Sequence, residues 1–166
     1  KHVGALDGII HNAALLGART PLEFYPAQDW QKVMQVNVNA VFYLTKALLP
    51  VLSKSRDARI VFISSSVGRV GRAYWGAYAV SKFAIEGLMQ TLAAELENTS
   101  NIRVNSLNPG AVSTKMRQAA YPAEDPGLQP CPESLMPIYL YLLSSEAKIL
   151  HGQTLNAREF NLQTQR

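Results

Sequence analysis

The sequence predicts an α/β fold in which a doubly wound parallel sheet carries helices on both faces. Four short apolar runs predict strands, at residues 6–14, 58–65, 102–107 and 153–156. Longer segments with helical periodicity separate them, so strands and helices alternate along the chain. Continuous apolar strands that alternate with helices are typical of a parallel sheet buried on both faces. Such folds bind their ligands at the carboxyl ends of the strands.

The first predicted strand is followed by a loop at residues 21–28 and then by a long helix. We expect Asp29 to cap this helix and the helix to run to about residue 53. Apolar residues recur along it at spacings of three and four and define one face: Trp30, Val33, Met34, Val38, Val41 and Leu48. Pro50 is expected to bend or end the helix near its last turn.

The second predicted strand, residues 58–65, combines β-branched and aromatic side chains, which favour strands. A loop at residues 66–75 contains Gly68 and Gly71 and leads into a second long helix at residues 76–97. This loop also carries basic and aromatic residues just before the helix: Arg69, Arg72, Tyr74 and Trp75. Some of them are candidates for a substrate pocket, and a solvated loop is the alternative.

The third predicted strand, residues 102–107, ends at the turn formed by Asn108, Pro109 and Gly110. Residues 113–132 contain four prolines and little periodicity, which predicts a loop with room for a short helical piece. Residues 134–143 predict an apolar helix before the last strand, and the last ten residues resemble a tail.

Composition and charge narrow the class of protein. The 166 residues are predicted to form a single domain, residues 1–166. The net charge of +4 is scattered over the chain, which favours a solvated surface over a nucleic-acid site. No apolar run reaches the roughly 18 residues that span a bilayer, and the first residues lack the order of a secretory signal. We therefore expect a protein that binds neither nucleic acid nor membrane.

The numbers and positions of the cysteines and histidines argue against disulfide bonds and metal sites. Cys131 is the lone cysteine, which excludes an intrachain disulfide and fits a reducing compartment, so we expect a cytoplasmic location. The three histidines, His2, His11 and His151, are dispersed and lack metal-ligand spacing, so no metal site is expected.

Two ionisable residues interrupt the apolar face of the second long helix. Its stripe consists of Tyr78, Lys82, Ile85, Met89, Leu92 and Leu96. Tyr78 and Lys82 lie one turn apart at the N-terminal end. An adjacent ammonium favours a phenolate, so we expect the pKa of Tyr78 to fall from about 10 towards neutrality, as a general acid/base requires. The alternative is a lysine that reaches water beside an ordinary aromatic residue.

Asn37 places an amide on the apolar face of the first helix, between Met34 and Val41. A buried amide needs hydrogen-bond partners. Two interpretations stay open: an asparagine that only bends the backbone, or one that loosens the helix and holds a water connecting Lys82 to solvent.

Five motifs in order resemble the short-chain dehydrogenase/reductase family over nearly the whole chain. They are Asn12-Ala13-Ala14, Val36-Asn37-Val38, Ile63-Ser64-Ser65, Tyr78-Ala79-Val80-Ser81-Lys82, and Arg103-Val104-Asn105 followed by Asn108-Pro109-Gly110 and Thr114. Ser65 precedes Tyr78 by thirteen residues, the spacing usual in the family. A finer resemblance, to one group of bacterial oxidoreductases in the family, rests on the segments MQVNVNAVFYLTKALLP, SSSVGR, GAYAVSKFA and residues 116–126.

The resemblance implies a Rossmann-like fold and an NAD- or NADP-dependent oxidoreductase that acts on a small carbonyl or alcohol substrate. By this resemblance, Tyr78 would exchange a proton with the substrate oxygen, and Ser65 would orient that oxygen. Lys82 would lower the pKa of Tyr78 and bind the nicotinamide ribose. Asn37 would extend the proton path. The residues that match cofactor-binding positions of the family are Asn12, Ala13, Tyr78, Lys82, Pro109, Gly110, Val112 and Thr114.

Two departures from the family pattern stand out. Ala14 occupies a position where the family usually has glycine. The chain contains no Gly-x-x-x-Gly-x-Gly loop and starts at what resembles the fourth strand, so we expect the N-terminal βαβαβ half of the cofactor-binding fold to be absent. The competing hypothesis is a truncated or non-catalytic family member that acts in dinucleotide sensing or oligomerisation.

The second long helix also predicts self-association. Its apolar residues lie on several faces, among them Ala77, Val80, Ala84 and Leu88. A helix that is apolar all round is buried all round, and the sheet covers one face only. By resemblance, the two long helices form a subunit interface, so we expect a homodimer or homotetramer.

Overall fold

The computed structural model describes residues 4–160, which are built around a four-stranded parallel sheet. Its strands are β1 (Gly8–His11), β2 (Arg59–Ile63), β3 (Arg103–Asn108) and β4 (Thr154–Asn156), and they lie side by side in that order. Every neighbouring pair is parallel. The predicted α/β class and parallel sheet are therefore confirmed.

Five α-helices connect and flank the described strands. They are α1 (Ala27–Met34), α2 (Ala40–Leu52), α3 (Gly76–Leu96), α4 (Lys115–Ala120) and α5 (Met136–Leu143). A π-helical segment, Gln35–Asn39, joins α1 to α2 without a break. Short 3₁₀ turns lie at Leu22–Phe24, Ser66–Gly68, Pro126–Leu128, Pro132–Leu135, Ser145–Ile149 and Ala157–Glu159.

The predicted start of the first helix is wrong. Asp29 lies in the first turn of α1, and Pro26 occupies the capping position without a side-chain hydrogen bond. A proline suits this place because the first helical turn does not use its backbone N–H. Pro50 lies within α2, which ends two residues later at Leu52, close to the predicted end.

The first strand is shorter than predicted. The apolar run covers residues 6–14, but only Gly8–His11 pairs with β2. Beyond His11 the chain turns towards the helices, where the side chain of Asn37 binds both backbone groups of Leu15. Apolar composition does not reveal this tertiary partner, so the run overestimates the strand.

The remaining elements match their predictions to within a few residues. Helix α3 and strands β2 to β4 lie where they were expected, and α4 is the short helical piece of the 113–132 loop. Residues 134 and 135 belong to a 3₁₀ turn rather than to α5. Within the predicted tail, residues 157–159 form a 3₁₀ turn, and residues 161–166 lie outside the described part.

Two apolar clusters pack on opposite faces of the sheet. Ile60 and Phe62 of β2 join the cluster that includes the apolar stripe of α3, whereas Val61 and Ile63 join the cluster of α5. Neighbouring residues of a strand point to opposite faces, so the division places helices on both sides. The α3 stripe is confirmed from Tyr78 to Leu92, and Leu96 is partly buried against the same cluster.

Gly68 lets the turn after β2 lie directly on α3. A Cβ atom at Gly68 would come within 2.7 Å of the Lys82 Cβ atom and within 2.9 Å of its carbonyl carbon. Real side chains do not approach so closely, so any larger residue would push the turn away from the helix.

Gly68→Ala should therefore lower the free energy of unfolding by about 1 to 3 kcal/mol, the usual cost of overpacking. Gly71→Ala is the matched control, because a Cβ atom at Gly71 meets no atom within 4 Å. Urea denaturation of both variants measures the difference. Equal stabilities for the two variants would show that the close packing of the turn on α3 is wrong.

Candidate functional site

A cavity of about 450 Å³ opens where the carboxyl ends of the first three strands meet α3. Its walls are formed by Asn12, Ala13, Ala14, Leu16, Ile63, Ser64, Ser65, Trp75, Tyr78, Lys82, Pro109, Gly110, Ala111, Val112, Thr114, Met116, Arg117 and Ala120. This is the edge at which doubly wound folds bind ligands.

The cavity gathers nearly every site residue that the sequence predicts. All eight predicted cofactor-binding residues line it, and Ser65 does so as well. Ala14, which departs from the family pattern, is also in the wall. Asn37 is buried outside the lining and contacts the site through other residues.

Lys82 is buried in the cavity wall with only 4% of its surface exposed. Its Nζ atom donates a hydrogen bond of 2.6 Å to the carbonyl oxygen of Ile63 and lies 5.6 Å from the centre of the Tyr78 ring. Burial lowers the pKa of Lys82 from 10.5 to about 8, and the nearby carboxylate of Glu86 opposes that change. The lysine therefore sits close to its protonation midpoint at mildly alkaline pH.

The expected fall in the pKa of Tyr78 is wrong for this structure. Burial raises the pKa of Tyr78, and a hydrogen bond with the Ser65 side chain acts in the opposite direction. The ammonium of Lys82 donates a hydrogen bond to the Ile63 carbonyl, and burial of the phenol remains the dominant influence on the pKa of Tyr78. Tyr78 is thus a neutral hydroxyl group at physiological pH, held beside Ser65.

Asn37 braces the loop after β1 against α3. Its Oδ1 atom accepts from the Leu15 backbone N–H at 2.7 Å, and its Nδ2 atom donates to the Leu15 carbonyl at 2.9 Å and to the Ser81 Oγ at 3.0 Å. The Ser81 hydroxyl in turn donates to the carbonyl of Tyr78. The amide lies in the π-helical segment and is bonded to protein atoms through both of its polar ends.

The loop after β3 is fixed by side chains at both ends. The Asn108 Oδ1 atom accepts from the Gly110 backbone N–H at 3.0 Å, and Gly110 adopts φ +77°, a conformation that favours glycine. Thr114 caps α4 by accepting from the Arg117 backbone N–H at 3.1 Å. Residues 109–114 therefore form a defined wall opposite α3.

A stack of rings and guanidinium groups borders the cavity. The Arg19 guanidinium lies 4.0 Å from the centre of the Trp75 ring and 5.5 Å from that of the Tyr121 ring. The Arg117 guanidinium lies 3.8 Å from the centre of the Tyr121 ring. Both oxygens of Glu124 pair with Arg117 at 2.6 Å. These contacts hold α4 and the turn after it against the residue before α3.

Part of this border could be predicted from the sequence. Trp75 lines the cavity, as expected if the loop before α3 contributes to a substrate pocket. Arg69 instead forms an ion pair with Glu86, whereas Arg72 and Tyr74 line a separate groove on the outer side of α3. Arg19, Arg117 and Tyr121 were missed, because no motif or periodicity connects residues that are about 100 positions apart in the chain.

The described histidines serve the fold. His11 stacks on Phe62, shares a hydrogen bond with the Thr45 hydroxyl and has its pKa lowered to about 4 by burial. His151 bonds to the backbones of Val104 and Ala93. His2 lies outside the described residues. Within residues 4–160, no group of three or more His, Cys, Asp or Glu side chains is placed to hold a metal ion.

No helix in the described part of the chain has both the length and the apolar character needed to cross a membrane.

The chain is similar in sequence to proteins of a known family. The family sequence profile described as short chain dehydrogenase matches residues 1–125. The oxidoreductase YciK of Escherichia coli K12 is 53% identical over 153 residues, which is 92% of this chain and 60% of YciK. The finer match that the sequence motifs predicted is to this group, and it is confirmed.

Solved structures give the same result. A short chain dehydrogenase from Pseudomonas syringae superposes with a TM-score of 0.91 at 60% identity, covering 93% of this chain and 62% of that protein. One from Shigella flexneri 2a, complexed with NADP, has a TM-score of 0.90 at 52% identity, with coverages of 93% and 64%. The chain thus spans about three fifths of the length of the relatives it matches.

Asn37→Ala should lower the free energy of unfolding by about 1 to 3 kcal/mol, because it leaves the backbone N–H and carbonyl of Leu15 without their hydrogen-bond partner. Asn39→Ala is the matched control, since the Asn39 amide is exposed and, within residues 4–160, bonds to the exposed Gln35 side chain. Chemical denaturation compares the two. A loss no greater at Asn37 than at Asn39 would mean that the brace contributes nothing.

Burial of Lys82 should give stability a distinctive dependence on pH. Its pKa is about 8 in the folded protein and 10.5 when it is exposed, so the unfolded chain binds more protons between these values. Wild-type stability should therefore rise, relative to Lys82→Met, as pH increases from about 8 to 10.5. The change should be at most about 3 kcal/mol. Parallel stability curves for the two proteins over this range would contradict the burial of a charged lysine.

Proposed function

This chain belongs to the short-chain dehydrogenase/reductase family, and from that premise we propose that it forms the catalytic part of an NAD(P)-dependent oxidoreductase. The reaction interconverts a carbonyl group and an alcohol. The observation that carries the proposal is the convergence of Ser65, Tyr78 and Lys82 on one cavity at the carboxyl ends of the strands. We assign the chain to a single domain, residues 1–166.

The cavity fits the nicotinamide end of such a cofactor. Lys82 has three N–H donors, and the Ile63 carbonyl takes one of them. The two others are available to the hydroxyl groups of a ribose. Pro109 and Val112 offer an apolar surface on the opposite wall, and Asn12 and Thr114 offer polar side chains. When bound, the cofactor supplies or accepts the hydride.

Both NAD and NADP are consistent with this arrangement, and the Shigella flexneri relative complexed with NADP supports binding of the phosphorylated form.

Tyr78 is the proton donor in carbonyl reduction. Burial keeps its hydroxyl protonated at physiological pH, which is the state that a donor needs. As negative charge develops on the carbonyl oxygen, transfer of the phenolic proton neutralises it. In the direction of alcohol oxidation the phenolate must form, and the ammonium of Lys82 beside the ring stabilises that charge.

Ser65 holds the reacting oxygen. Its side chain is hydrogen-bonded to the Tyr78 hydroxyl, so a substrate oxygen placed between them meets two neutral donors. The hydrogen bond to Ser65 also favours the phenolate of Tyr78, because it lowers the pKa against the effect of burial.

Asn37 acts through other residues in this scheme. Its amide fixes Leu15, next to the Asn12–Ala14 wall, and reaches the Tyr78 carbonyl through Ser81. We therefore assign Asn37 a positioning role at the start of α3. Its expected part in a proton path remains a prediction.

The outer surfaces of α2 and α3 suit a second copy of the chain. Large apolar side chains remain exposed there, at Phe42, Tyr43, Leu44, Val80 and Phe83. An exposed apolar surface of this kind marks an association site. We propose that the protein forms a homodimer or homotetramer through these two helices.

Tyr78→Phe in the complete gene product should reduce turnover by roughly 10²- to 10⁴-fold, the usual contribution of a general acid. NADPH affinity should remain nearly unchanged, because only the proton donor is lost. The assay follows NADPH oxidation at 340 nm with 4-nitrobenzaldehyde as the carbonyl probe, and fluorescence titration gives the Kd of NADPH.

Tyr74→Phe is the control for the same chemical change, since Tyr74 is 56% exposed and lies outside the cavity. Its turnover should equal that of the wild type. Near-normal turnover of Tyr78→Phe would remove Tyr78 from the mechanism. A wild-type protein that neither binds nor oxidises NADPH or NADH would overturn the proposed function.

A further inference from the structure

We propose that Glu86 and Arg69 form a positioning pair that ties the α3 wall of the cavity to the wall formed by residues 109–114. The inference rests on the proposed function, because it concerns the same cavity. Neither residue lines the cavity. Their hydrogen bonds connect to both walls on the side that faces away from the cavity.

Glu86 is a buried carboxylate with all its contacts inside the protein. It is 5% exposed and lies one helical turn after Lys82, on the same face of α3. Its Oε1 atom accepts from the Arg69 Nε at 3.2 Å, and its Oε2 atom accepts from the Ser106 hydroxyl at 2.7 Å. A buried carboxylate is costly unless it is paired and hydrogen-bonded, and Glu86 meets both conditions.

Arg69 extends this contact to the last strand. The residue follows the Ser66–Gly68 turn, and its side chain is 25% exposed. Its two terminal nitrogens donate to the Asn156 Oδ1 at 2.7 Å and to the Leu155 carbonyl at 3.1 Å. All three guanidinium nitrogens are therefore used, and the side chain links α3, the turn after β2 and β4.

Asn156 connects Arg69 to the wall formed by residues 109–114. Its Oδ1 atom also accepts from the Asn108 Nδ2 at 3.1 Å, and the Asn108 Oδ1 accepts from the Gly110 backbone N–H. An unbroken path of hydrogen bonds thus runs from Glu86 through Arg69, Asn156 and Asn108 to Gly110. Gly110 and its neighbours form the surface that we assign to the cofactor.

The charge of Glu86 has a second effect, on Lys82. Among the described residues, the titratable groups that face the Lys82 side chain are Tyr78 and Glu86, both on α3, while β2 presents the Ile63 carbonyl. Glu86 itself faces Lys82, Arg69 and Ser106. Its carboxylate raises the pKa of Lys82 against the effect of burial, so it favours the charged form of the lysine.

Substitution of Glu86 and substitution of Arg69 should change cofactor binding in different ways. Loss of the Glu86 charge should let Lys82 lose its proton at lower pH, and so weaken binding of the cofactor as pH rises. Loss of the Arg69 guanidinium leaves that charge in place but breaks the path to Gly110. It should weaken cofactor binding at every pH.

The test measures the Kd of NADPH against pH in the complete gene product, for wild type, Glu86→Gln and Arg69→Gln. Glu86→Gln keeps the shape of the side chain and removes its charge. The pH at which affinity begins to fall should move down by about one unit or more, as expected for an adjacent buried charge. Arg69→Gln should raise Kd several-fold across the range without moving that pH down.

Glu95→Gln is the control, because Glu95 is an exposed residue of the same helix and should change neither quantity. A Glu86→Gln curve that coincides with the wild type would overturn the inference while leaving the proposed function intact. If the wild type bound NADH and not NADPH, the same series would be measured with NADH; absence of binding of both cofactors by the wild type would overturn both the inference and the proposed function. If Glu86→Gln does not fold, Arg69→Gln decides: a raised Kd supports the inference, and an unchanged Kd overturns it.

Discussion

The buried ammonium of Lys82 is the constraint on which the site depends. An amine in the interior must find acceptors, and Lys82 finds the Ile63 carbonyl at the end of β2, with the Glu86 carboxylate one turn away on α3. This requirement fixes the distance between α3 and the sheet. Gly68 makes the approach sterically possible. Tyr78, one turn before Lys82, is thereby held beside the Ser65 side chain.

Polar side chains fix the loops that carry the walls of the cavity, and a small apolar cluster around Leu16, Trp75 and Met116 packs beside them. The two larger apolar clusters lie against the two faces of the sheet and give the fold its stability. At the carboxyl edge, Asn37 fixes the loop after β1 and Asn108 fixes the loop after β3. Because hydrogen bonds are directional, these contacts set the position of the reacting groups more narrowly than apolar contacts would.

The sequence predicted the elements whose periodicity is local, and the cavity residues that carry family motifs. It could not predict features that depend on distant partners. The π-helical segment accompanies the bond from Asn37 to Leu15, 22 residues earlier. The pairing of Arg69 with Glu86 crosses from a loop to a helix. The direction of the Tyr78 pKa followed from burial, which the spacing of Tyr78 and Lys82 does not reveal.

The central claim, that Lys82 is a buried and tunable cation, is tested most directly by its own titration. NMR of labelled lysine side chains, with the Lys82 signal assigned from its loss in Lys82→Met, follows the ammonium as pH rises. The account predicts a midpoint near the pKa of about 8. Titration at the ordinary value of 10.5 would show that Lys82 is solvated, and the proposed arrangement of the cavity would be wrong.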